Sequence, residues 1–157
     1  MKVTVIAVGR VRGTLQAAVA EYEERAARYW KLEVVEVDAG APGRDPEPAR
    51  VMAAEAERIL ARVPAGTSVF ALTREGTGMG SSALARALEE HAVRSSPGVT
   101  LVLGGAFGLD PDLLSRARRR LSLSTMTLPH EMARLVLAEQ LYRAGTILRG
   151  EPYHKGA

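Results

Sequence analysis

Four short runs of apolar, mostly β-branched residues recur along the chain and constrain its fold more than any other feature. They read VTVIAVG, LEVVEVD, TSVFALT and VTLVLGG, over residues 3–9, 32–38, 67–73 and 99–105. Because each run is almost continuously apolar, it is typical of a strand that helices cover on both faces. Helical patterns separate the runs, so the order of elements predicts an α/β domain with a largely parallel sheet flanked by helices.

Five helices are predicted around these strands. Their patterns cover about residues 15–29, 46–63, 81–94, 110–120 and 130–149. The first pattern places Leu15, Val19 and Tyr22 on one apolar face. The fourth begins at Asp110 followed by Pro111, which is a typical helix start. His91, in the third helix, is expected at the surface.

Length and composition indicate one domain. At 157 residues, 46% hydrophobic and 25% charged, we expect residues 1–157 to form a single globular unit. The chain has no Cys, which excludes disulfides and thiolate metal sites, and with only three His residues we expect no metal. No apolar run approaches the roughly 18 residues of a membrane span, and no signal peptide is recognised. We therefore expect a cytoplasmic protein without a membrane partner.

Arginine dominates the positive charge. The net charge is +3, but 18 of the 21 basic residues are Arg, whose guanidinium group favours bidentate contacts with phosphate. The cluster of Arg116, Arg118, Arg119 and Arg120 is either an RNA contact or an ordinary solvated face. Aromatic residues make up only 4% of the chain, which argues against a platform for stacking bases.

The segment LSLSTMTLPHEMARLV, residues 121–136, predicts a bend before the last helix. Leu121 and Leu123 alternate with Ser as in a half-buried strand, but by Met126 the apolar positions have changed face. Pro129 then prevents continuation of the strand. Irregular main chain offers unpaired N–H and C=O groups, and a ligand with hydrogen-bonding edges, such as adenine, would satisfy them.

Two glycine-rich stretches follow predicted strands, where parallel sheets bind ligands. One is LTREGTGMGS, residues 72–81, which is also typical of a flexible surface loop. The other is LGGAFGLDPDLL, residues 103–114, whose glycines allow the main chain to approach a ligand closely. Neither matches the standard phosphate-binding or dinucleotide-binding spacing.

The last predicted helix is apolar on nearly every side, which predicts burial both in its own core and against a second copy of the chain. Charged residues within it are costly unless they are paired or functional. Glu139 and Arg143 are spaced to pair with each other, and this simple pairing stays open. The tail GEPYHKGA either frays into solvent or is held over an active site.

These stretches together resemble a known family. The residues concerned are GGAFGL at 104–109, LSLSTMTLPHEMAR, LAEQLYRA, the closing RGEPYHK, the opening MKVTVIAVGR and EYEERAARYWKLEVVEV. Their order and spacing are similar to those of the ribosomal RNA large subunit methyltransferase H family, of the SPOUT class, over essentially the whole chain. The resemblance implies an α/β fold with a C-terminal trefoil knot and an obligate homodimer.

The resemblance also implies an activity. Members of the family use S-adenosylmethionine to methylate N3 of a pseudouridine in helix 69 of 23S ribosomal RNA, on the assembled ribosome. The cofactor contacts carried over to this chain are Leu72, Gly104, Leu123, Ser124, Thr125, Met126, Thr127 and Leu128. The bend would hold adenine through main-chain groups, and the glycines would leave room for the ribose and methionine parts.

Six residues are assigned to the acceptor site. They are His130, Arg134, Glu139, Arg143, Tyr153 and His154, with His154 or Glu139 as the acceptor of the N3 proton. The chain departs from the family pattern at Thr73, where many relatives have an acidic residue, and at Gly76-Thr77-Gly78, where many have Gly-Lys. Two other functions stay open: a non-catalytic RNA-binding protein that uses the arginine cluster, and a regulator that binds adenine compounds.

Overall fold

The computed structural model describes residues 1–94 and 96–155. Within them, five strands form one parallel sheet in the order β2-β1-β4-β3-β5. The strands are β1 (Lys2–Val8), β2 (Lys31–Val37), β3 (Ser68–Gly78), β4 (Val99–Leu103) and β5 (Arg119–Ser122). The helices are α1 (Gln16–Ala26), α2 (Pro48–Leu60), α3 (Ser81–Val93), α4 (Pro111–Arg116) and α5 (His130–Leu148), with short 3-10 turns at Gly13–Leu15 and Pro152–His154. The predicted α/β class and largely parallel sheet are confirmed.

Both faces of the sheet are covered, as the apolar runs predict. Alternate residues of β1 enter opposite layers: Val5 packs in the core with α1, α3 and α5, whereas Ile6 packs with α2 and α4. Val102 and Leu103 of β4 divide in the same way. This alternation is the period of two residues that a β-strand imposes on its side chains.

The predicted helix over 110–120 is wrong in its second half. Helix α4 ends at Arg116, and Arg119 and Arg120 belong to β5, whose main chain pairs with Phe70 and Ala71 of β3. Pairing with β3 and burial of Leu121 outweigh the weak helical pattern of the arginine-rich stretch.

The predicted loop after the third strand is also wrong in part. Strand β3 continues to Gly78, and both Leu72 and Thr77 pair with Leu121, so the intervening residues form an irregularity in the ladder. A Cβ atom at Gly76 would lie 2.7 Å from main-chain carbons of Arg120 and Leu121. The glycine therefore permits close approach of two strands rather than loop flexibility.

His91 is not at the surface. The residue is only 6% exposed. Its ring packs edge-to-face against the ring of Phe70, with 5.2 Å between the ring centroids. Its Nδ1 lies 2.9 Å from the carbonyl oxygen of Ala87. His91 is thus a core residue of this layer. The knot implied by the resemblance fits the observed topology and stays a prediction.

Candidate functional site

A cavity of about 330 Å³ opens at the carboxyl edge of the sheet, beyond β3 and β4 and beside the start of α5. It is lined by Leu72, Thr73, Arg74, Glu75, Leu103, Gly104, Gly105, Ala106, Phe107, Gly108, Leu123, Ser124, Met126, Thr127, Leu128, His130 and Ala133. The volume lies at the lower end of the range for small-molecule sites. The mixture of aliphatic side chains, hydroxyl groups and main chain suits a ligand that is partly apolar and partly hydrogen-bonding.

One wall is the loop over residues 104–108, here called the glycine loop. Gly105 and Gly108 form an isolated bridge, in which the amide of Gly108 donates to the carbonyl oxygen of Gly105 at 3.1 Å. Gly108 has a φ of +82°, which favours glycine. A Cβ atom at Gly104 would lie 2.7 Å from the carbonyl carbon of Gly108. The loop therefore requires glycine for its own closure.

The opposite wall is the bend predicted before the last helix, residues 123–128. The hydroxyl of Ser122 donates to the carbonyl oxygen of Ser124 at 2.9 Å, and the amide of Met126 donates to the hydroxyl of Ser124 at 2.9 Å. These local bonds hold the irregular main chain after β5. The Met126 side chain is 77% exposed at the cavity, and Thr125 is exposed without lining it.

The end of β3 closes a third side through polar contacts. Arg74 donates from Nη1 to the hydroxyl of Thr127 at 2.6 Å and so joins β3 to the bend. The hydroxyl of Thr73 donates to Glu75 at 2.9 Å. This bond, with smaller contributions that include Arg74, lowers the pKa of Glu75. Thr73 is one of the positions at which the chain departs from the family pattern.

Seven of the eight predicted cofactor residues line this cavity, with Thr125 the exception. His130, at the first residue of α5, also lines it, and its Nε2 would lie 3.6 Å from a Cβ atom at Gly9. The other five predicted acceptor-site residues are not among the lining residues. Whether any of these residues binds a cofactor stays a prediction.

Three of those five are joined by hydrogen bonds between α5 and the tail. Glu139 accepts hydrogen bonds from Arg143 Nε at 3.0 Å and Nη2 at 2.6 Å, and from the Tyr153 hydroxyl at 3.0 Å. The predicted pairing of Glu139 with Arg143 is therefore present. Burial and the hydrogen bond to Glu139 raise the pKa of Tyr153. We call Glu139, Arg143, Tyr153 and the adjacent His154 the tail cluster.

Residues 151–154 of the tail are thus held against α5 rather than frayed. The Tyr153 ring lies 4.5 Å from the ring of Tyr142, and the guanidinium of Arg143 lies 4.9 Å from the Tyr153 ring. His154 Nδ1 is buried and has no hydrogen-bond partner within the described ranges.

Arg134 lies elsewhere, in a buried ion-pair network. It donates from Nε to Glu23 at 2.9 Å and from Nη1 to Glu36 at 2.6 Å, which joins α5 to α1 and β2. Burial opposes its charge, but the two carboxylates outweigh this effect and raise the pKa of Arg134. Both carboxylates serve structural contacts here, so within one chain Arg134 stabilises the fold.

The sequence interpretation missed several lining residues. Arg74 and Glu75 lie within the glycine-rich stretch over residues 72–81, and Gly105 and Gly108 within the stretch over 103–114, but no pattern singles them out. Phe107, 50% exposed at the rim, and Ala133 carry no pattern that singles them out.

In the arginine cluster, Arg119 pairs with Glu90 at 3.6 Å, and Arg120 donates to the carbonyl oxygen of Leu114 at 3.1 Å.

No group of three or more His, Cys, Asp or Glu side chains placed to hold a metal ion occurs in residues 1–94 and 96–155. Over the same residues, no helix has the length and apolarity needed to cross a membrane.

Comparisons with known proteins agree with this geometry. A family model described as "Predicted SPOUT methyltransferase" matches residues 1–154. The chain is 51% identical over 156 residues to "Ribosomal RNA large subunit methyltransferase H" of Gemmatimonas aurantiaca, covering 99% of this chain and all of that protein. It is 44% identical over 155 residues to the protein of the same name from Syntrophotalea carbinolica, covering 98% and 99% of the two chains.

Among solved structures, the fold is similar to that of a probable methyltransferase from Bordetella pertussis Tohama I. The TM-score is 0.57 at 18% identity, covering 91% of this chain and 95% of that one. A probable methylase family protein from Haemophilus influenzae gives a TM-score of 0.54 at 14% identity, covering 96% and 69%. The family match and the close relatives together establish that this chain belongs to the SPOUT methyltransferases, in the ribosomal RNA large subunit methyltransferase H family.

Proposed function

We propose that this protein is an S-adenosylmethionine-dependent methyltransferase that methylates N3 of a pseudouridine in helix 69 of 23S ribosomal RNA, on the assembled ribosome. The observation that carries the proposal is the cavity between the glycine loop and the bend, in a chain 51% identical to a protein named for large-subunit ribosomal RNA methylation. We place the protein in the cytoplasm, as one domain over residues 1–157.

The residues of the cavity fit the proposed methyl donor. Leu72, Leu103 and Leu128 offer apolar surface for a purine ring, and the irregular main chain of the bend offers hydrogen-bonding groups for its edge. Gly104 and Gly105 present main chain to the cavity on the other wall, which suits the ribose and methionine parts. When bound, S-adenosylmethionine supplies an electrophilic methyl group on a sulfonium centre.

The protein's own contribution is to position the acceptor nitrogen and to accept or stabilise one proton. N3–H of pseudouridine is a weak acid, so its loss is favoured by a nearby base or by cations that stabilise the anion. His130 lies at the cavity, while Arg143 and His154 lie in the tail cluster. In the proposed site His154 accepts the proton, because Glu139 is already engaged by Arg143 and Tyr153.

We further propose that the active enzyme is a homodimer and that the tail cluster of one subunit completes the cavity of the other. Two observations support this arrangement. The tail cluster is ordered on α5 but does not line the cavity of its own chain. Met132 and Leu148, at the two ends of α5, are each more than a third exposed, which leaves apolar surface for a partner.

The test is transfer of labelled methyl groups from S-adenosylmethionine to assembled ribosomes that lack the modification, compared with free 23S RNA. We expect label in the helix 69 fragment of assembled ribosomes, at N3 of pseudouridine, and little label in free RNA. Absence of transfer to either substrate would refute the catalytic proposal. Salt-sensitive RNA binding without binding of S-adenosylmethionine would favour the RNA-binding alternative, and binding of that compound without transfer would favour the regulator.

A further inference from the structure

Glu55 of α2 is a buried carboxylate that the proposed reaction does not use. It is 3% exposed. Its Oε2 accepts a hydrogen bond from the amide of Gly40 at 2.9 Å, whereas its Oε1 is buried and has no hydrogen-bond partner in the part of the chain that the structure describes. A buried carboxylate with one free oxygen is costly to a fold, so its presence calls for a ligand or a charge that benefits from it.

The glycine loop lies between this carboxylate and the cavity. A Cβ atom at Gly105 would lie 3.0 Å from both carboxylate oxygens of Glu55, and Gly105 also lines the cavity. Gly108 borders both the cavity and a small void against which Glu55 lies. Gly105 itself carries no side chain, and Val8 packs at the same place, with its Cγ1 3.0 Å from that Cβ position, so the carboxylate lies directly behind the main chain of the loop.

No basic side chain neutralises Glu55 at short range. Within residues 1–94 and 96–155, no Lys, Arg or His nitrogen lies within 4.0 Å of its carboxylate oxygens in an ion pair. Arg58, one turn further along α2, donates instead to the carbonyl oxygens of Asp38 at 2.7 Å and Gly40 at 2.8 Å. A buried charge without a close partner is poorly screened and acts over a longer range than a surface charge.

We propose that Glu55 is a specificity-determining residue of the donor site, which favours a cationic sulfonium donor over the uncharged thioether product; the inference rests on the proposed function. The two compounds share the adenosine, the ammonium and the carboxylate groups and differ in the methyl group and the positive charge on sulfur. A buried negative charge behind the glycine loop therefore stabilises the donor selectively. The protein therefore binds the product, S-adenosylhomocysteine, more weakly than the donor.

Calorimetric titration with each compound tests the inference directly. We expect Glu55→Gln, which keeps the shape of the side chain and removes its charge, to weaken binding of S-adenosylmethionine about tenfold and to change binding of S-adenosylhomocysteine by less than about twofold. Glu57→Gln is the matched control, because Glu57 lies on the same helix, carries the same charge and is exposed. We expect it to change neither affinity.

Four results would overturn the inference. Equal weakening of both compounds by Glu55→Gln would mean that Glu55 acts only through the shape of the loop, and no change in either would mean that its charge does not act on the site. If Glu55→Gln does not fold, Glu55→Met removes the same charge with similar volume, and an unchanged ratio of the two affinities in that variant likewise contradicts the inference. A wild-type chain that binds neither compound would refute the proposed function itself, and the inference with it.

Discussion

The hydroxyl of Tyr153 donates a hydrogen bond to Glu139 at 3.0 Å, and this bond joins the C-terminal 3-10 turn to the middle of α5. The same carboxylate accepts two hydrogen bonds from Arg143, so one acidic group holds both a cation and a phenol. The tail Pro152–His154 is consequently part of the folded structure. The hydrogen bond of its neighbour Tyr153 places His154 beside α5.

Removal of the Tyr153 hydroxyl should loosen the tail and change the response of stability to alkaline pH. The pKa of Tyr153 is raised above its ordinary value of 10.0, so its contribution to stability is present below about pH 10 and is lost as the pH rises further. We expect Tyr153→Phe to cost about 1 kcal/mol at neutral pH and to lose less stability than wild type above about pH 10. Urea unfolding across this range is the measurement, and parallel pH profiles for the two proteins would contradict the expectation.

We expect Arg134 to stabilise the folded protein. Its side chain is 10% exposed and bridges Glu23 and Glu36, so Arg134→Met leaves two carboxylates without their cation. We expect a loss of about 2–3 kcal/mol in the free energy of unfolding, below the cost of a fully buried pair because the carboxylates are partly exposed.

Arg25→Met is the matched control for Arg134→Met. It breaks the surface ion pair with Glu21 and the contacts with the rings of Tyr22 and Tyr142, and it should cost clearly less than Arg134→Met. If Arg134→Met proved as stable as this control and abolished methyl transfer, the predicted place of Arg134 in the acceptor site would be favoured instead.

The glycine loop should not tolerate a side chain at Gly104. A methyl group there would lie 2.7 Å from the main chain of Gly108, so Gly104→Ala must displace the loop. We expect binding of S-adenosylmethionine to weaken more than about tenfold while the protein stays folded. Gly78→Ala, at a position with open space around the added carbon, is the control. Equal affinity of both variants for S-adenosylmethionine would show that the glycine loop does not take part in binding it.

The strands buried on both faces could be predicted because their continuous apolar, β-branched composition identifies them. The ends of α4 and β3 and the start of β5 could not, because they depend on the main-chain pairing of β5 with β3. Arg119 and Arg120 show no strand pattern in the sequence. They belong to a strand because their main chain pairs with the neighbouring strand β3. His91 has the sequence context of a surface residue and is buried by Phe70, which lies in another element.

The site divides in the same way between what is local and what tertiary structure brings together. The bend at Leu123–Leu128 is recognisable from the sequence because its apolar residues do not follow the period of a strand or a helix. Gly104 is recognisable because glycine allows main-chain conformations and close approaches that other residues do not. Arg74, joined to Thr127 across 53 residues, and Glu55, hidden in an ordinary helical pattern, meet the cavity only after folding.

Mixing two inactive variants tests most directly whether the cavity of one subunit works with the tail of another. Gly104→Ala disables the cavity and His154→Ala disables the tail. Each alone should transfer almost no methyl group to ribosomes. After unfolding and refolding together in equal amounts, about half of the dimers contain both variants and each of these has one intact composite site, so about a quarter of wild-type activity is expected. Activity that stays at the level of the separate variants, in a mixture shown to contain mixed dimers, would contradict the account.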